Sequence, residues 1–229
     1  MQLTDRTVMV TGAAGNLGRA VAGALATAGA NCVLVDRQPA TRHHDPKTLF
    51  VQADLLDAQS VRVAVDKAME RFGNIDVLCN LAGAFRMGPP AHESSDQDWS
   101  SLFDLNVRTV LNTSRAVVPI MLKAGRGKIV NVGAYAAQRG AARMGAYIAS
   151  KSAVIRLTET MSAELREHNI NVNCVLPTII DTDENRAAMP EADPKRWVAP
   201  TDLAQVIVFL ASDSARAIHG AALPVTGLS

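Results

Sequence analysis

A tyrosine and a lysine stand four residues apart, as Tyr147 and Lys151, in the segment YIASK. In a helix this spacing places both side chains on one face, about one turn apart. An ammonium group near a phenol favours the phenolate and lowers the tyrosine pKa from its ordinary value of about 10. Such a hydroxyl can give or take a proton during a reaction. Because such pairs are common by chance, the argument depends on what surrounds this one.

Residues 11–18, TGAAGNLG, join the first strand-like run to the first helical stretch. Glycines there permit a tight turn and a close approach of the backbone to a diphosphate, which the amides and dipole of the helix N-terminus stabilise. The segment therefore predicts a dinucleotide-binding turn. A glycine turn that serves packing alone is the alternative.

Asp36 ends the second strand-like run, 18 residues after Gly18. This is near the distance of about 20 residues expected for an acid that binds ribose hydroxyls. A carboxylate at this place repels the 2′-phosphate of NADP, whereas the adjacent guanidinium of Arg37 accommodates a phosphate. The sequence predicts NAD (NADH) as the cofactor, with NADP the less favoured one.

The elements that must position these residues are short β-branched runs that alternate with longer, Ala-rich helical stretches. The strand-like runs are residues 7–11, 31–36, 48–53, 75–80, 127–132, 170–176 and 221–225, and the helical stretches are 16–28, 57–72, 97–123, 146–167 and 201–212. Continuous apolar strands are typical of a parallel sheet buried on both faces. The pattern predicts a doubly wound α/β (Rossmann) fold, with a seven-stranded parallel sheet and helices on both faces. Because no linker or repeat divides residues 1–229, we expect one domain.

Two segments interrupt this alternation, residues 84–95 after the fourth run and residues 178–200 after the sixth. In a parallel sheet both leave the carboxyl edge, where ligands bind. Long loops in a compact domain are usually functional. The second segment is therefore a candidate loop that covers the substrate, with an ordinary surface excursion as the alternative.

The composition narrows the possible partners. Lys and Arg total 23 and Asp and Glu total 22, for a formal charge of +1, and only 4% of residues are aromatic. This composition provides neither the basic surface nor the stacking platforms of a nucleic-acid binder, and no apolar run approaches the ~20 residues that span a bilayer. We expect a small-molecule substrate, no nucleic acid, no membrane and a cytoplasmic location, with Cys32, Cys79 and Cys174 reduced and buried. Residues 43–45, HHD, lack a second cluster, so no metal site is predicted.

These features together resemble the short-chain dehydrogenase/reductase family over essentially the whole chain. The matching positions are residues 11–18, Asp54-Leu55, Asn80-Leu81-Ala82-Gly83, Asn106, the pair Tyr147 and Lys151, and Pro177 with Thr182. The resemblance implies an oxidoreductase that moves hydride between a nicotinamide and a small organic substrate. It also implies a homo-oligomer, either a dimer or a tetramer.

The same resemblance assigns roles to individual residues. Tyr147 would be the general acid/base, Lys151 would bind the nicotinamide ribose and lower the phenol pKa, and Asn106 would hold a water in the proton path. Thr182 would touch the nicotinamide carboxamide. The implied cofactor-binding residues are Gly12, Gly15, Asn16, Leu17, Gly18, Asp36, Arg37, Asp54, Leu55, Asn80, Ala82, Gly83, Tyr147, Lys151, Pro177, Ile179 and Thr182.

Three positions depart from the family pattern. Asn16 stands where compact members usually place a glycine, and Thr178 replaces the glycine often found after the proline. The serine that orients the substrate carbonyl in this family falls 13 residues before the tyrosine, where this chain has Ala134. Removing one such donor typically costs about 10²–10³ in rate.

Ala134 leaves three alternatives open. The chain is a weakened enzyme or a plain NAD-binding protein, or another hydroxyl substitutes, of which Tyr135 is nearest in sequence, or the substrate needs no such donor. Local similarity to the dihydropteridine reductases favours the third, because these enzymes keep the Tyr and Lys, lack the serine and use NADH. The alternative substrate is then a quinonoid dihydropterin rather than a carbonyl or alcohol.

The similarity to dihydropteridine reductases lies in residues 133–137 and in the late loop, within DTDENRAAMPEAD and at Trp197. It makes Ala134, Arg186, Met189 and Trp197 the candidate substrate residues. The plainer interpretation is that Met189 and Trp197 cover an apolar pocket and that Arg186 only solvates the loop.

Overall fold

The computed structural model describes residues 2–39 and 45–229. Its seven strands form one sheet in the order β3-β2-β1-β4-β5-β6-β7, and every pairing is parallel. The strands are β1 Thr7–Thr11, β2 Asn31–Asp36, β3 Thr48–Gln52, β4 Val77–Asn80, β5 Gly127–Val132, β6 Ile170–Pro177 and β7 Ala222–Val225. The strand order reverses between β1 and β4, which is where a crevice for ligands opens at the carboxyl edge.

Helices cover both faces of the sheet. They are α1 Asn16–Thr27, α2 Ala58–Phe72, α3 Asp96–Phe103, α4 Thr109–Ala124, α5 Gly145–Leu165, α6 Asp183–Ala188 and α7 Pro200–Ala211. On β1, Val8 and Val10 belong to the core cluster that also holds residues of α1 and α7, whereas Met9 belongs to the cluster with α2, α4 and α5. Because successive strand residues face opposite sides, the strand is apolar throughout. The predicted doubly wound fold is confirmed.

Glycines end two of the helices. Gly73 after α2 has φ 76° and Gly125 after α4 has φ 64°, the left-handed conformation in which a Cβ is costly. At its start, α2 is capped by Asp57, whose carboxylate accepts a hydrogen bond from the Gln59 N–H. The observed bounds of the elements differ from the predicted ones by a residue or two.

The predicted helical stretch over residues 97–123 is observed as residues 96–124, with a π-helical turn inside it. A π-helical turn, Asp104–Arg108, separates α3 from α4 and contains Asn106. A π-turn inserts one extra residue into the helical bonding, which changes the direction of the side chains on either side of it. Periodicity cannot reveal such a turn, because the flanking sequence remains helical in character.

The late segment is also more ordered than a loop. Residues 178–200 contain α6 and a short 3₁₀ turn, Pro194–Arg196, and Ile180 pairs with Val198 in a single parallel bridge. Two hydrogen bonds accompany the bridge, from Val198 N to the Ile179 carbonyl (2.9 Å) and from Asp181 N to the Val198 carbonyl (2.8 Å). The start and the end of the segment are therefore held together just after β6.

Three further predictions concern single features. Cys32, Cys79 and Cys174 are free and buried, as predicted, and burial raises their pKa values to about 11, 12 and 11. His43 and His44 lie outside the described residues. No helix within residues 2–39 and 45–229 is long and apolar enough to cross a bilayer.

Candidate active site

The turn after β1 has space only for glycines at two positions. A Cβ added at Gly12, where φ is +67°, would lie 2.9 Å from the Ala82 nitrogen, and one at Gly18 would lie 2.7 Å from the Ala13 Cα. The Thr11 hydroxyl oxygen accepts hydrogen bonds from Leu81 N (3.1 Å) and Ala82 N (3.3 Å). The turn is thereby held against the segment that follows β4.

A cleft of about 650 Å³ runs along this edge of the sheet, within the range of small-molecule sites. It brings together most of the cofactor-binding residues that the sequence predicts. Those that line it are Gly12, Gly15, Asn16, Leu17, Gly18, Asp36, Arg37, Asp54, Leu55, Ala82, Gly83 and Thr182.

Asp36 lies at the rim of this cleft and is anchored to the glycine turn. One carboxylate oxygen accepts a hydrogen bond from Ala14 N (2.9 Å), and the other accepts one from Gln38 N (3.0 Å). Arg37 lines the same cleft. The structure therefore places a carboxylate and a guanidinium at one end of the cleft.

The segment at residues 54–56 is fixed by a residue that the sequence analysis missed. The Asn112 amide on α4 donates to the carbonyls of Leu55 (2.9 Å) and Leu56 (3.3 Å). Asp54 closes the same turn, since its carboxylate accepts from Leu56 N at 2.9 Å. A buried asparagine in a helix was the only signal for this contact.

Arg19 and Glu184 are two more residues of the cleft that sequence reasoning missed. The Arg19 guanidinium donates to the Ala14 carbonyl and to the Asn16 side chain. The Asn16 amide in turn donates to the Glu184 carboxylate at 2.7 Å. Asn16, which departs from the family glycine, thus connects the turn to α6. An arginine directly after the last glycine of the turn was the available signal.

Asn106 is 1% exposed and braces the segment after β4 against α5. Its carbonyl oxygen accepts from Ala84 N (2.8 Å), and its amide donates to the Ala84 carbonyl (3.1 Å) and the Ser150 hydroxyl (2.9 Å). The Ser150 hydroxyl donates to the Tyr147 carbonyl at 2.8 Å. The π-turn therefore fixes the helix turn that carries the tyrosine.

Lys151 is 6% exposed, and its ammonium donates to the Val132 carbonyl at 2.8 Å. A Cβ added at Gly83 would lie 2.8 Å from the Asn106 side-chain oxygen and 3.1 Å from the Lys151 Nζ. Gly83 also lines the large cleft. Gly83 therefore lies at the cleft and beside the Lys151 ammonium.

The predicted lowering of the tyrosine pKa is wrong for this structure. Burial raises the pKa of Tyr147 to about 12, and burial lowers the pKa of Lys151 to about 8. Desolvation disfavours the charged form of each group, so the two values move toward the neutral pair. The Lys151 ammonium donates its hydrogen bond to the Val132 backbone carbonyl.

Ala134 occupies the family's serine position as part of a small apolar cluster. It is 4% exposed and packs with Ile155, Leu176 and Tyr147. Tyr135, the nearest alternative hydroxyl, is 40% exposed in the adjoining 3₁₀ turn. A further residue that the sequence analysis missed is Phe85, whose ring meets Tyr147 edge-on at 4.9 Å between centroids.

Asn80 was predicted to line the cleft, but its side chain does not. Its side chain is 2% exposed and belongs to a chain of buried hydrogen bonds below the cleft. The Thr113 hydroxyl donates to Asn80 (2.7 Å), Asn80 donates to Asn131 (2.9 Å), and Asn131 donates to the Thr158 hydroxyl (2.9 Å). This series of hydrogen bonds joins β4 and β5 to α4 and α5. It also gives each buried amide the partners that it needs away from water.

The late segment contributes to the site unevenly. Thr182 lines the cleft and caps α6, where its hydroxyl accepts from Asn185 N at 3.2 Å. Arg186 forms a two-pronged ion pair with Asp181 (2.6 and 2.7 Å), so it does more than solvate the loop. Trp197, a candidate substrate residue, is 7% exposed and does not line the cleft. Met189 is half-buried at the end of α6, while Ile179 and Pro177 lie at the base of the segment.

The fold and this edge define a doubly wound α/β protein whose large cleft lies at the strand reversal. The chain matches the family model described as short chain dehydrogenase over residues 6–193. The chain belongs to the short-chain dehydrogenase family, and it is an oxidoreductase.

Individual relatives agree with this assignment. The chain is 35% identical to D-threitol dehydrogenase of Mycolicibacterium smegmatis, with 99% of this chain and 93% of that protein covered. It is similar to the crystal structure of 3-ketoacyl-(acyl-carrier-protein) reductase from Brucella melitensis complexed with NADH, with a TM-score of 0.87, 29% identity and coverage of 99% and 98%. It is also similar to carveol dehydrogenase from Mycobacterium avium in complex with NAD, with a TM-score of 0.87, 29% identity and coverage of 98% and 97%.

Proposed function

We propose that this protein is an NAD(H)-dependent oxidoreductase that acts on a small organic carbonyl or alcohol, or on a conjugated C=N bond. The observation that carries the proposal is the place of Gly83, which lines the dinucleotide-sized cleft and also adjoins the buried Lys151. The proposed catalytic pair, Tyr147 and Lys151, thus lies next to the cleft. Two solved relatives, complexed with NADH and NAD, support the same cofactor here.

The residues of the cleft fit a dinucleotide. At Gly12 and Gly18 an added Cβ would meet the backbone of Ala82 and Ala13, so these glycines let the turn pack closely at the edge where the diphosphate would bind. The Asp36 carboxylate accepts the ribose hydroxyls and opposes a 2′-phosphate, so NAD is preferred over NADP. When bound, the cofactor supplies hydride chemistry.

Tyr147 carries the proton in this proposal. Its hydroxyl donates to the substrate oxygen or nitrogen in reduction and accepts the proton in oxidation. Lys151 binds the nicotinamide ribose with its ammonium, and Asn106 fixes the backbone around both groups and holds a water in the proton path. A positive charge that comes near the phenol lowers its pKa and so opposes the rise that burial causes.

Replacing Tyr147 by phenylalanine tests the assignment. Tyr147→Phe removes the proton donor while keeping the ring against Phe85, so kcat falls by about 10²–10⁴. The Kd for NADH, measured by fluorescence titration, changes by less than about threefold because no cleft residue is lost. Tyr135→Phe is the comparison: unchanged turnover rules out Tyr135 as the substitute donor, and a loss of turnover identifies it as one. Undiminished turnover by Tyr147→Phe would exclude the assignment.

The burial of Ala134 favours a second candidate function, the reduction of a quinonoid dihydropterin. The methyl group fills an apolar cluster beside Tyr147 and offers no hydrogen bond to a carbonyl oxygen. In a conjugated C=N acceptor the charge that develops during reduction is delocalised over several atoms. Its reduction therefore depends less on one hydrogen-bond donor. The weakened, cofactor-binding protein is the remaining alternative.

Installing the missing hydroxyl separates these candidates. NADH oxidation is followed with quinonoid dihydropterin and with simple ketones, for the unaltered chain and for Ala134→Ser. The second candidate predicts dihydropterin turnover that the variant leaves within about threefold. A gain of about 10²–10³ on ketones identifies a lost donor instead. Ala137→Ser, in the same cluster, controls for burying a hydroxyl, and NADH binding without any oxidation supports the weakened protein.

The remaining assignments are proposals of the same kind. The chain acts as one cofactor-binding domain, and residues 178–200 cover the substrate. We also propose a cytoplasmic homo-oligomer, a dimer or tetramer, which size-exclusion chromatography with light scattering tests directly.

A further inference from the structure

A separate crevice opens beside Tyr147, between the segment after β4 and the first turn of α5. Its walls include Arg86, Gly88, Arg143 and Tyr147. None of its lining residues also lines the large cleft. The crevice is small, about 20 Å³, which is room for one water-sized group beside Tyr147 rather than for a whole substrate.

Arg143 holds an uncommon backbone conformation at this crevice. Its φ is 62°, in the left-handed region that costs an L-residue other than glycine roughly 1–2 kcal/mol. Two hydrogen bonds hold it there, from Gly88 N to the Arg143 carbonyl (2.8 Å) and from Arg143 Nε to the Gly88 carbonyl (3.2 Å). Backbone strain that persists in this way is characteristic of functional positions.

The Arg143 guanidinium also lacks a counter-ion. Within residues 2–39 and 45–229 it forms no ion pair, and its Nη1 and Nη2 donate no hydrogen bond. Arg86 has a distant partner, the Asp98 carboxylate at 3.5 Å, and that carboxylate already binds the Ser95 hydroxyl at 2.7 Å. The crevice thus presents a positive edge with free donors, which match a carboxylate in a two-pronged arrangement.

We propose that Arg143 is a specificity-determining residue that binds a carboxylate on the substrate, so that the enzyme acts on oxo acids and the corresponding hydroxy acids. This inference rests on the proposed oxidoreductase function. In reduction, the carbonyl carbon gains the hydride of the reduced nicotinamide, the carbonyl oxygen gains the Tyr147 proton, and the carboxylate is unchanged. Phe85, which is 58% exposed beside Tyr147, contributes an apolar wall for a short carbon chain.

The experiment compares acids with their uncharged esters. NADH oxidation is measured with 2-oxobutanoate, acetoacetate and levulinate, and with the methyl ester of each. We expect kcat/KM for at least one acid to exceed that of its ester about tenfold or more. Arg143→Asn lowers the acid value about 10- to 100-fold, as expected for a lost charge-assisted pair, and changes the ester value less than about threefold.

The variants are chosen so that they fold. Asparagine and glycine both tolerate the left-handed backbone, so Arg143→Asn and Arg143→Gly keep the turn. Arg139→Asn is the matched control, since Arg139 is exposed in the neighbouring turn and does not line the crevice. It removes one positive charge and leaves the acid-to-ester ratio unchanged.

The outcomes separate the two levels of the proposal. Equal kcat/KM for acids and esters, or equal losses in Arg143→Asn and Arg139→Asn, would overturn the carboxylate site while the oxidoreductase stands. If no oxo compound is turned over, the three acids are titrated into the enzyme–NADH complex by calorimetry. Heat that disappears in Arg143→Asn supports the site, and absence of heat overturns it. Absence of NADH binding overturns the proposed function itself.

Discussion

Lys151 and Tyr147 lie on one face of α5, yet burial rather than their mutual distance sets their pKa values. The lysine is 6% exposed, and desolvation moves its pKa down from 10.5 to about 8. The tyrosine moves in the opposite direction, to about 12. Desolvation acts on each group alone, so a sequence spacing that brings two groups together does not fix their charges.

The lysine shift predicts a dependence of stability on pH. Between pH 8 and 10.5 the unfolded chain holds a proton on Lys151 that the folded chain lacks, so the native state gains stability as pH rises through this window. Relative to Lys151→Met, the unaltered protein gains on the order of 3 kcal/mol across the window. Urea unfolding at several pH values measures the difference, and a constant difference would contradict a lowered pKa.

Among the elements, the late segment depends on contacts with residues 226–229. The Thr178 hydroxyl donates to the Thr226 carbonyl at 2.9 Å and lies 2.8 Å from the Ser229 hydroxyl. Leu228 pairs with Arg196 through the backbone at 2.9 Å and through the Arg196 guanidinium at 2.8 Å. Thr178, which departs from the family glycine, therefore ties the base of the segment to the chain after β7.

Removing this hydroxyl tests the tie. Thr178→Val keeps the shape of the side chain and loses its hydrogen bonds, so the free energy of unfolding falls by about 1 kcal/mol. Hydrogen exchange at the Leu228 amide becomes faster because its neighbours are no longer fixed. Thr178→Ser restores the hydroxyl and the slow exchange. Equal exchange in all three proteins would show that the tie has no effect.

Across the whole molecule, the proposed catalytic residues and a cluster of ion pairs lie at opposite ends of the strands. The proposed catalytic residues lie at the carboxyl ends, and the ion pairs lie at the amino ends. Asp76, just before β4, is 6% exposed and accepts from Thr7 N (3.0 Å), Arg6 (3.3 Å), Asn74 (3.1 Å) and Arg126 (3.2 Å). It joins the amino ends of β1, β4 and β5. In doubly wound sheets ligands bind at the other edge, so this carboxylate serves stability.

Neutralising Asp76 separates stability from activity. Asp76→Asn leaves Arg6 and Arg126 without their buried partner and lowers the free energy of unfolding by about 1–3 kcal/mol, less than a fully buried pair because both guanidiniums reach solvent. Denaturant titration measures this loss, and kcat per folded molecule is unchanged. Asp213→Asn is the control, because its carboxylate is 75% exposed and costs less than about 1 kcal/mol. A loss of kcat in Asp76→Asn would contradict the separation.

Local patterns were sufficient for the elements and for most of the cleft. The strands buried on both faces, the glycine turn and Asp36 are each specified by neighbouring residues, so sequence placed them correctly. The Asn80 side chain, predicted to line the cleft, is buried outside it. Arg19, Glu184 and Phe85 were missed. The partners of Asn80, Glu184 and Phe85 are distant in sequence and depend on how the loops return to the sheet. Those of Arg19 are the nearby Ala14 and Asn16, and here the fold of the turn itself decides the contact.

The sequence by itself determined the doubly wound sheet, its ligand edge and the family, because period and turn chemistry act over a few residues. Only the tertiary structure decided the π-turn at Asn106, the burial that shifts the pKa values of Tyr147 and Lys151, and the crevice at Arg143. Each of these depends on solvent exclusion or on contacts between segments far apart in the chain, which no local pattern records.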